Sequence, residues 1–385
     1  MEKLAQEFDQ NNDILNAKYK VRHRRHPSNW PTLTCDDIPE FQSFELECKF
    51  PKILIIENAE IMTTNNFQIK IENTSTPAIL HGLMSDWSCF KKYRNGIENT
   101  LEWTLKKICN RSFINHINFQ CGIDKYGEDV SVNLKQYMEK YVIGCNDRNP
   151  MLIFDAIVME QEEVDLINDF ACPALFSQDD YLKHIDPISR PPFQWFIYGP
   201  KNSGSPVHQD PMGTQAWNAL CSGKKLWILF HPATPKELLP TKSLDIGINN
   251  NNKKNEKQNE EDIDLWEDLY SWIYLELPEI RRKIKMHFDV LSDLRKKNTN
   301  NNSHIDNEAF WYREFLQMPG EIVFVPSNWH HAVFNLEDSI AVTQNYCSRT
   351  NLRKCYTLME DRLLAKKWLE SMKINEPNQV YQMIK

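Results

Sequence analysis

Short apolar runs separated by proline, glycine and charged residues predict that the middle of this chain is built mainly from β-strands. Runs of roughly four to eight apolar residues bounded by turn residues are typical of strands in a sheet core. The clearest are AIL at 78–80, PMLIFDAIV at 150–158, PPFQWFIYGP at 191–200, GKKLWILFHP at 223–232 and GEIVFVP at 320–326. We therefore expect one domain with a mostly β core over residues 76–350.

Helical spacing of apolar residues appears on both sides of these strands. LEWTLKKIC at 101–109, preceded by Thr100 as a candidate N-cap, and SVNLKQYMEKYV at 131–142 both repeat apolar residues every three or four positions. A third stripe comprises Leu358, Leu363, Leu364, Trp368 and Met372. It predicts a helical C-terminal segment, 351–385, that packs on the domain or on a second subunit as a homodimer contact. The fold class is α+β, mostly β with helical additions.

Two asparagine-rich tracts interrupt the domain. NNNN at 249–252 is followed by KKNEKQNEED, and NTNNNSHIDN begins at position 298. Such composition buries little apolar surface, so we expect a surface insertion over about 245–308, partly helical between the two tracts. Residues 1–75 form a polar N-terminal region.

Composition and charge exclude several classes of protein. The chain has 385 residues, a net charge of −8 and 10 cysteines. No C-x-x-C pair occurs, which argues against a structural zinc module, and we expect reduced, mostly buried thiols. The N-terminus lacks the apolar segment of a signal peptide, and no run is long enough to span a bilayer, so no membrane association is expected.

A basic run, KYKVRHRRH at 18–26, bears on localisation. Three interpretations fit it: a nuclear localisation signal, a phosphate-binding patch and a solvated helix face. We expect an intracellular protein, in the nucleus rather than the cytoplasm. The acidic balance gives no global attraction to nucleic acid and leaves that partner open.

The candidate chemistry lies in H-Q-D at 208–210 and W-H-H at 329–331. In an extended segment His208 and Asp210 point to the same face, so both can reach one metal ion. A histidine near the end of another strand would complete the facial triad of two histidines and one carboxylate that binds non-haem Fe(II). Strand alternation separates His330 from His331 but does not say which of them faces the metal. A zinc-binding cupin also fits these ligands.

Glycine and proline turns punctuate GSPVHQDPMGTQAWNALCSGKKLWILFHP and GEIVFVPSNWHHAVFNLEDSIAVTQNYC. Short strands with such turns indicate a jelly roll, also called a double-stranded β-helix, whose barrel can shelter a metal ion at its wider end.

These two segments resemble the JmjC domain of the Jumonji-type lysyl hydroxylases once named for the phosphatidylserine receptor, whose relatives include arginine demethylases. The resemblance extends through RPPFQWFIYGP and PAILHGLMSDW and covers roughly residues 75–350, apart from the insertion. It implies an Fe(II)- and 2-oxoglutarate-dependent dioxygenase that consumes O2, with ascorbate as a reductant.

The resemblance also assigns roles to individual residues. It implies that His208, Asp210 and His331 bind the iron. Lys225 would bind the distal carboxylate of 2-oxoglutarate, with Lys224 facing outward. The following residues would assist: Thr343 by a hydroxyl hydrogen bond to that carboxylate, Asn218 beside the cosubstrate, and Trp217 and Trp227 by lining or supporting the pocket. Core packing is the alternative role for the last three and fits the two tryptophans at least as well.

One residue departs from the family pattern. Where the family has a tyrosine that helps to hold 2-oxoglutarate, this chain has Leu152. The loss of one neutral hydrogen bond would weaken cosubstrate binding by roughly 0.5–1.5 kcal/mol.

The predicted function is hydroxylation of lysine in a protein substrate, in particular one rich in lysine and arginine. Two alternatives remain at this point: demethylation of N-methyl arginine or lysine, which uses the same chemistry, and a catalytically inactive cupin-like binding module. A barrel needed only for its shape has no reason to hold buried charges of opposite sign, which favours the enzyme.

Overall fold

The computed structural model describes residues 17, 52–87, 116–123, 126, 128–143, 147, 150–156, 170–235, 239, 269, 272–286 and 312–384. Three sequence predictions lie outside these ranges: the helix at 101–109, the asparagine-rich tracts and the basic run at 18–26. Among the described cysteines, all five are free and four are buried. None of the described helices has the length and apolar character that crossing a bilayer requires.

β-Strands form the core of the described domain, as predicted. The strands are β1 (Leu54–Ile56), β2 (Ala78–Leu80), β3 (Asn118–Ile123), β4 (Asp129–Asn133), β5 (Ile153–Asp155), β6 (Gln194–Gly199), β7 (Gly204–His208), β8 (Gln215–Ser222), β9 (Lys225–Phe230), β10 (Tyr312–Gln317), β11 (Ile322–Val325), β12 (His330–Asn335) and β13 (Ser339–Tyr346). The apolar runs of the sequence coincide with β2, β5, β6, β9 and β11.

Two sheets face each other. The major sheet has the order β1-β2-β11-β8-β13-β6-β5, and the minor sheet has the order β10-β9-β12-β7; β3 and β4 form a separate hairpin. Side chains alternate between the two faces of each strand. Trp227, Leu229 and Phe315 of the minor sheet meet Val323 and Val325 of the major sheet in the space between them. We call the faces that meet there the inward faces.

Helices and helical turns surround the sheets. They are a turn (Ala59–Ile61), α1 (Thr64–Phe67) with a π-helical continuation (Gln68–Glu72), α2 (Leu134–Tyr137) with a π-helical continuation (Met138–Val142), α3 (Ala174–Ser177), turns at Tyr181–His184 and Pro211–Gly213, a π-helical segment (Trp272–Glu276) leading into α4 (277–286), α5 (Leu352–Leu358), α6 (Arg362–Asn375) and α7 (Pro377–Ile384).

The helix α4 belongs to the predicted insertion and covers the outer face of the minor sheet. Ile228, Phe230 and Phe334 contact the apolar side chains of Leu269, Trp272, Ile273, Leu277, Ile280 and Ile284. A buried ion pair joins Arg281 to Glu314 of β10, with Arg281 Nε 2.8 Å from the carboxylate. The described part of the predicted insertion is therefore anchored to the barrel through this helix.

The C-terminal stripe is divided between two helices rather than lying on one. The chain breaks its helix after Leu358, and Asp361 then caps α6 by accepting hydrogen bonds from the backbone N–H groups of Leu363 and Leu364. Trp368 and Met372 are buried against the same chain. Leu363 stays 64% exposed. Most of the stripe thus serves the domain itself.

Gly204 allows β7 to lie close to β12. Its φ is +155°, and a Cβ atom at this position would lie 1.9 Å from the carbonyl oxygen of Val333. Only glycine tolerates that approach without displacing the backbone. The close pairing places the last residue of β7, His208, opposite His331.

Candidate active site

His208, Asp210 and His331 converge at one end of the space between the sheets. One ligand atom from each lies within 4.8 Å of the others. His208 and His331 are register partners on β7 and β12, with ring centroids 4.2 Å apart. Asp210 follows two residues after His208, where the chain leaves the strand. The three residues singled out in the sequence are brought together.

Hydrogen bonds to the backbone orient both imidazoles. Nδ1 of His208 lies 2.8 Å from the carbonyl oxygen of Pro206, and Nδ1 of His331 lies 3.2 Å from that of Trp329. A carbonyl only accepts, so each Nδ1 carries the proton and each Nε2 keeps its lone pair for a metal. Burial lowers the pKa of His331 well below its ordinary value and favours the neutral ring that binds metals.

Asn345 supports the carboxylate. Burial raises the pKa of Asp210, whereas the neighbouring His208 and a hydrogen bond from Asn345 lower it. A carboxylate whose charge is destabilised by burial gains from a bound cation. Asn345 was missed in the sequence, although its position two residues after Thr343 on the same strand was a usable signal.

The two adjacent histidines diverge. His331 is opposite Leu229 on β9, whose side chain is inward, whereas His330 is opposite Phe230, which packs on the outer face. The triad found among the described residues contains His331 and not His330.

Lys225 lies on the inward face of β9, two residues before Trp227. It is 2% exposed, and burial lowers its pKa to about 8. No carboxylate of the described ranges forms an ion pair with it. Lys224, which was expected to face outward, is partly exposed and forms an ion pair with Glu337 at 3.1 Å. A buried ammonium without an anion fits an anionic ligand.

Asn218 and Thr343 lie on the inward face of the major sheet, whereas Lys225 lies on the inward face of the minor sheet. Asn218 and Thr343 are register partners on β8 and β13. The hydroxyl of Thr343 donates to the carbonyl oxygen of Trp217 at 2.9 Å, so it must rotate to donate to a ligand. Oδ1 of Asn218 is buried and has no hydrogen-bond partner among the described residues. The polar groups required for a dicarboxylate face one space.

The two tryptophans differ in position. Trp227 is inward, with its ring centroid 6.0 Å from that of His331. Trp217 takes the alternative role, core packing. Trp217 is on the outer face of the major sheet and stacks on Phe176 at 5.7 Å, because its neighbour Asn218 takes the inward position.

Leu152 faces the same interior. It packs on an apolar cluster of Ile197, Leu220 and Ala341, next to the β13 residues that lead to Thr343. The family resemblance implies a tyrosine hydroxyl at this position. The side chain of Leu152 has only apolar atoms there.

A sequence profile of the cupin-like domain family matches residues 64–351. The chain belongs to this cupin-like family. The match covers the described strands from β2 to β13, and the mostly β fold class with helical additions is confirmed.

Several curated proteins are similar over long stretches. "Bifunctional arginine demethylase and lysyl-hydroxylase psr-1" of Caenorhabditis briggsae is 29% identical over 372 residues, covering 94% of this chain and 78% of that protein. "Lysine-specific demethylase JMJ21" of Arabidopsis thaliana is 28% identical, covering 71% of this chain and 23% of its own. "2-oxoglutarate and iron-dependent oxygenase JMJD4" of Mus musculus is 24% identical, covering 66% and 52%. The predicted resemblance to JmjC oxygenases is confirmed.

Proposed function

We propose that the protein is an Fe(II)- and 2-oxoglutarate-dependent dioxygenase that hydroxylates lysine in a protein substrate. The observation that carries this proposal is the convergence of His208, Asp210 and His331 within one barrel that also buries Lys225. Two neutral imidazoles and a carboxylate suit Fe(II) and leave coordination positions open. An inactive binding module or a zinc cupin leaves the buried ammonium unexplained.

Each residue has a distinct task in this proposal. Nε2 of His208 and His331 and the carboxylate of Asp210 would bind the iron, and Lys225 would bind the distal carboxylate of 2-oxoglutarate, assisted by Thr343 and Asn218. Bound iron with 2-oxoglutarate and O2 converts a substrate C–H bond to C–OH and yields succinate and CO2. The apolar walls around Trp227 exclude water from this reaction.

Demethylation is the second candidate. The psr-1 proteins are named for both arginine demethylation and lysyl hydroxylation, and an Arabidopsis relative is named as an arginine-specific demethylase. Hydroxylation of an N-methyl carbon gives an unstable product that releases formaldehyde, so one site serves both reactions. A peptide-array reaction read by mass spectrometry separates them: gain of one oxygen on lysine supports hydroxylation, and loss of a methyl group supports demethylation.

Three further proposals concern the setting of the enzyme. Ascorbate would keep the iron reduced, and the basic run at 18–26 would direct the protein to the nucleus. Exposed apolar side chains of α6 and α7, such as Leu363 and Tyr381, would contribute to a homodimer. A monomeric mass by light scattering at all concentrations would contradict the dimer.

Uncoupled turnover tests the enzyme proposal directly. The purified protein is supplied with Fe(II), ascorbate and 2-oxoglutarate, and succinate is measured. We expect the wild type to produce succinate and His208→Ala to give only background. His330→Ala is a matched control, because this histidine is next to His331 but faces outward, and it should also produce succinate. Equal signals from wild type and His208→Ala would remove the oxygenase assignment.

A further inference from the structure

Two aromatic rings stack on β6 and β5, the last two strands in the order of the major sheet. Phe154 of β5 and Trp195 of β6 have ring centroids 5.3 Å apart and an interplanar angle of 29°. Phe154 is 36% exposed, whereas the neighbouring strand β6 is buried over most of its length. We call this pair the aromatic ledge.

The strand register places the ledge on the inward face. Trp195 is opposite Thr343 on β13, and Phe154 is opposite Ile197, which belongs to an inward cluster. Directly opposite residues of antiparallel strands present their side chains on the same face. Trp195 is thus in the same row as Thr343 and Asn218, which are assigned to 2-oxoglutarate, and Phe154 is in the neighbouring row, that of Ile197 and Ala341.

A cation already lies on an aromatic ring next to the ledge. The guanidinium carbon of Arg190 is 4.0 Å from the ring centroid of Phe193, two residues before Trp195. The carbonyl oxygen of Phe193 accepts from the backbone N–H of Asn345, so the extended pairing with β13 continues to this point. Aromatic faces attract ammonium and guanidinium groups through their negative quadrupole.

We propose that the aromatic ledge binds the cationic side chain of the target residue and holds its alkyl stem beside the iron site. This inference rests on the proposed function, which needs a lysine or arginine side chain next to the triad. Stacked rings offer an apolar surface to the methylene groups and a face to the charge. The net charge of −8 complements a basic substrate.

A binding measurement tests the ledge without turnover. The full chain is loaded with Mn(II) and 2-oxoglutarate in the absence of O2 and titrated with two peptides of serine and glycine. One peptide carries a single lysine, and the other carries norleucine, which keeps the stem and lacks the charge. We expect the wild type to prefer lysine and Trp195→Ala to lose about threefold to thirtyfold in affinity for the lysine peptide. Trp195→Phe should retain most of the affinity.

Controls separate this role from a structural one. The affinity for 2-oxoglutarate should stay within about twofold in each variant, and Phe154→Leu, at the more exposed position, should reproduce the loss if Trp195→Ala does not fold. Unchanged lysine affinity in both variants, an equal loss for both peptides, or a wild type that does not discriminate would overturn the proposal. The succinate assay tests the proposed function separately from the ledge, because peptide binding is measured without turnover.

Discussion

The indole N–H of Trp227 donates to Oε1 of Gln317 at 2.8 Å, and Nε2 of the same Gln317 donates to the carbonyl oxygen of Asn218 at 2.8 Å. Gln317 is opposite Lys225 in register and is fully buried. A single amide therefore connects the two sheets at the depth of the cosubstrate residues.

Replacing that amide should destabilise the protein and loosen cosubstrate binding together. Gln317→Leu keeps the volume and leaves buried polar groups of Trp227 and Asn218 without a partner, at an expected cost of about 2–4 kcal/mol in the free energy of unfolding. Urea denaturation measures the loss. Gln178→Leu, an exposed control, should change stability by less than about 1 kcal/mol. Similar midpoints for both variants would contradict the linking role.

Asn345→Ala should weaken metal binding rather than cosubstrate binding. Without its hydrogen bond, the pKa of Asp210 rises further, and the carboxylate loses its orientation. Loss of such a supporting group typically costs about 10- to 100-fold in metal affinity. Competition with a fluorescent chelator for Mn(II) measures the change. Retained affinity would show that Asp210 is held by other contacts.

The affinity for 2-oxoglutarate should fall at alkaline pH. Burial lowers the pKa of Lys225 to about 8, so the ammonium that binds the dicarboxylate is progressively lost above that pH. In the alkaline limit, calorimetry with Mn(II)-loaded protein should show a loss of about tenfold per pH unit. Lys225→Arg keeps its charge, so its affinity, whatever its value, should be nearly constant from pH 7 to 9. A pH-independent wild type would contradict the role of Lys225.

In the protein without ligands, the buried Lys225 should lower the free energy of unfolding at neutral pH. Its pKa is lower in the folded state than the ordinary value of 10.5, so the unfolded chain binds more protons between pH 8 and 10.5 and stability rises with pH through this window. Lys225→Met should remove that rise and stabilise the ligand-free protein at pH 7 by about 3 kcal/mol. Thermal unfolding across this pH range checks both statements, and a less stable Lys225→Met at pH 7 would refute them.

Leu152→Tyr should strengthen cosubstrate binding. The leucine faces the interior near the cosubstrate residues, and a hydroxyl there would add about 0.5–1.5 kcal/mol, or up to about tenfold in the affinity for 2-oxoglutarate. Leu152→Phe fills the same space without a hydroxyl and should not improve affinity. Equal effects of both substitutions would mean that ring volume, not hydrogen bonding, matters at this position.

The strands were predictable because proline and glycine bracket the apolar runs. The cluster of candidate ligands was predictable because His208 and Asp210 are two apart and the family resemblance selects His331 from the two later histidines. The alternation of side chains along a strand does not indicate which of its two faces is inward. Trp217 and Asn218 are equally compatible with either face, and only the pairing of β8 with β11 and β13 decides between them.

Polar residues that act through other residues carried no distinctive signal either. In the sequence, Gln317 is indistinguishable from an ordinary polar residue. Its linking role depends on hydrogen bonds to Trp227 and Asn218, which lie on two other strands. The end of α5 was missed because the apolar spacing continues across 359–361, whereas the capping side chain of Asp361 starts a new helix.

The first two candidate ligands precede the asparagine-rich insertion and the third follows it, so an ion held by all three would fasten together chain segments that are remote in sequence. A metal bound only by the assembled state stabilises that state by mass action. Chelation should therefore lower the melting temperature of the whole barrel. After protease cleavage within the insertion, the metal-loaded protein should stay folded to a greater extent than the metal-free protein.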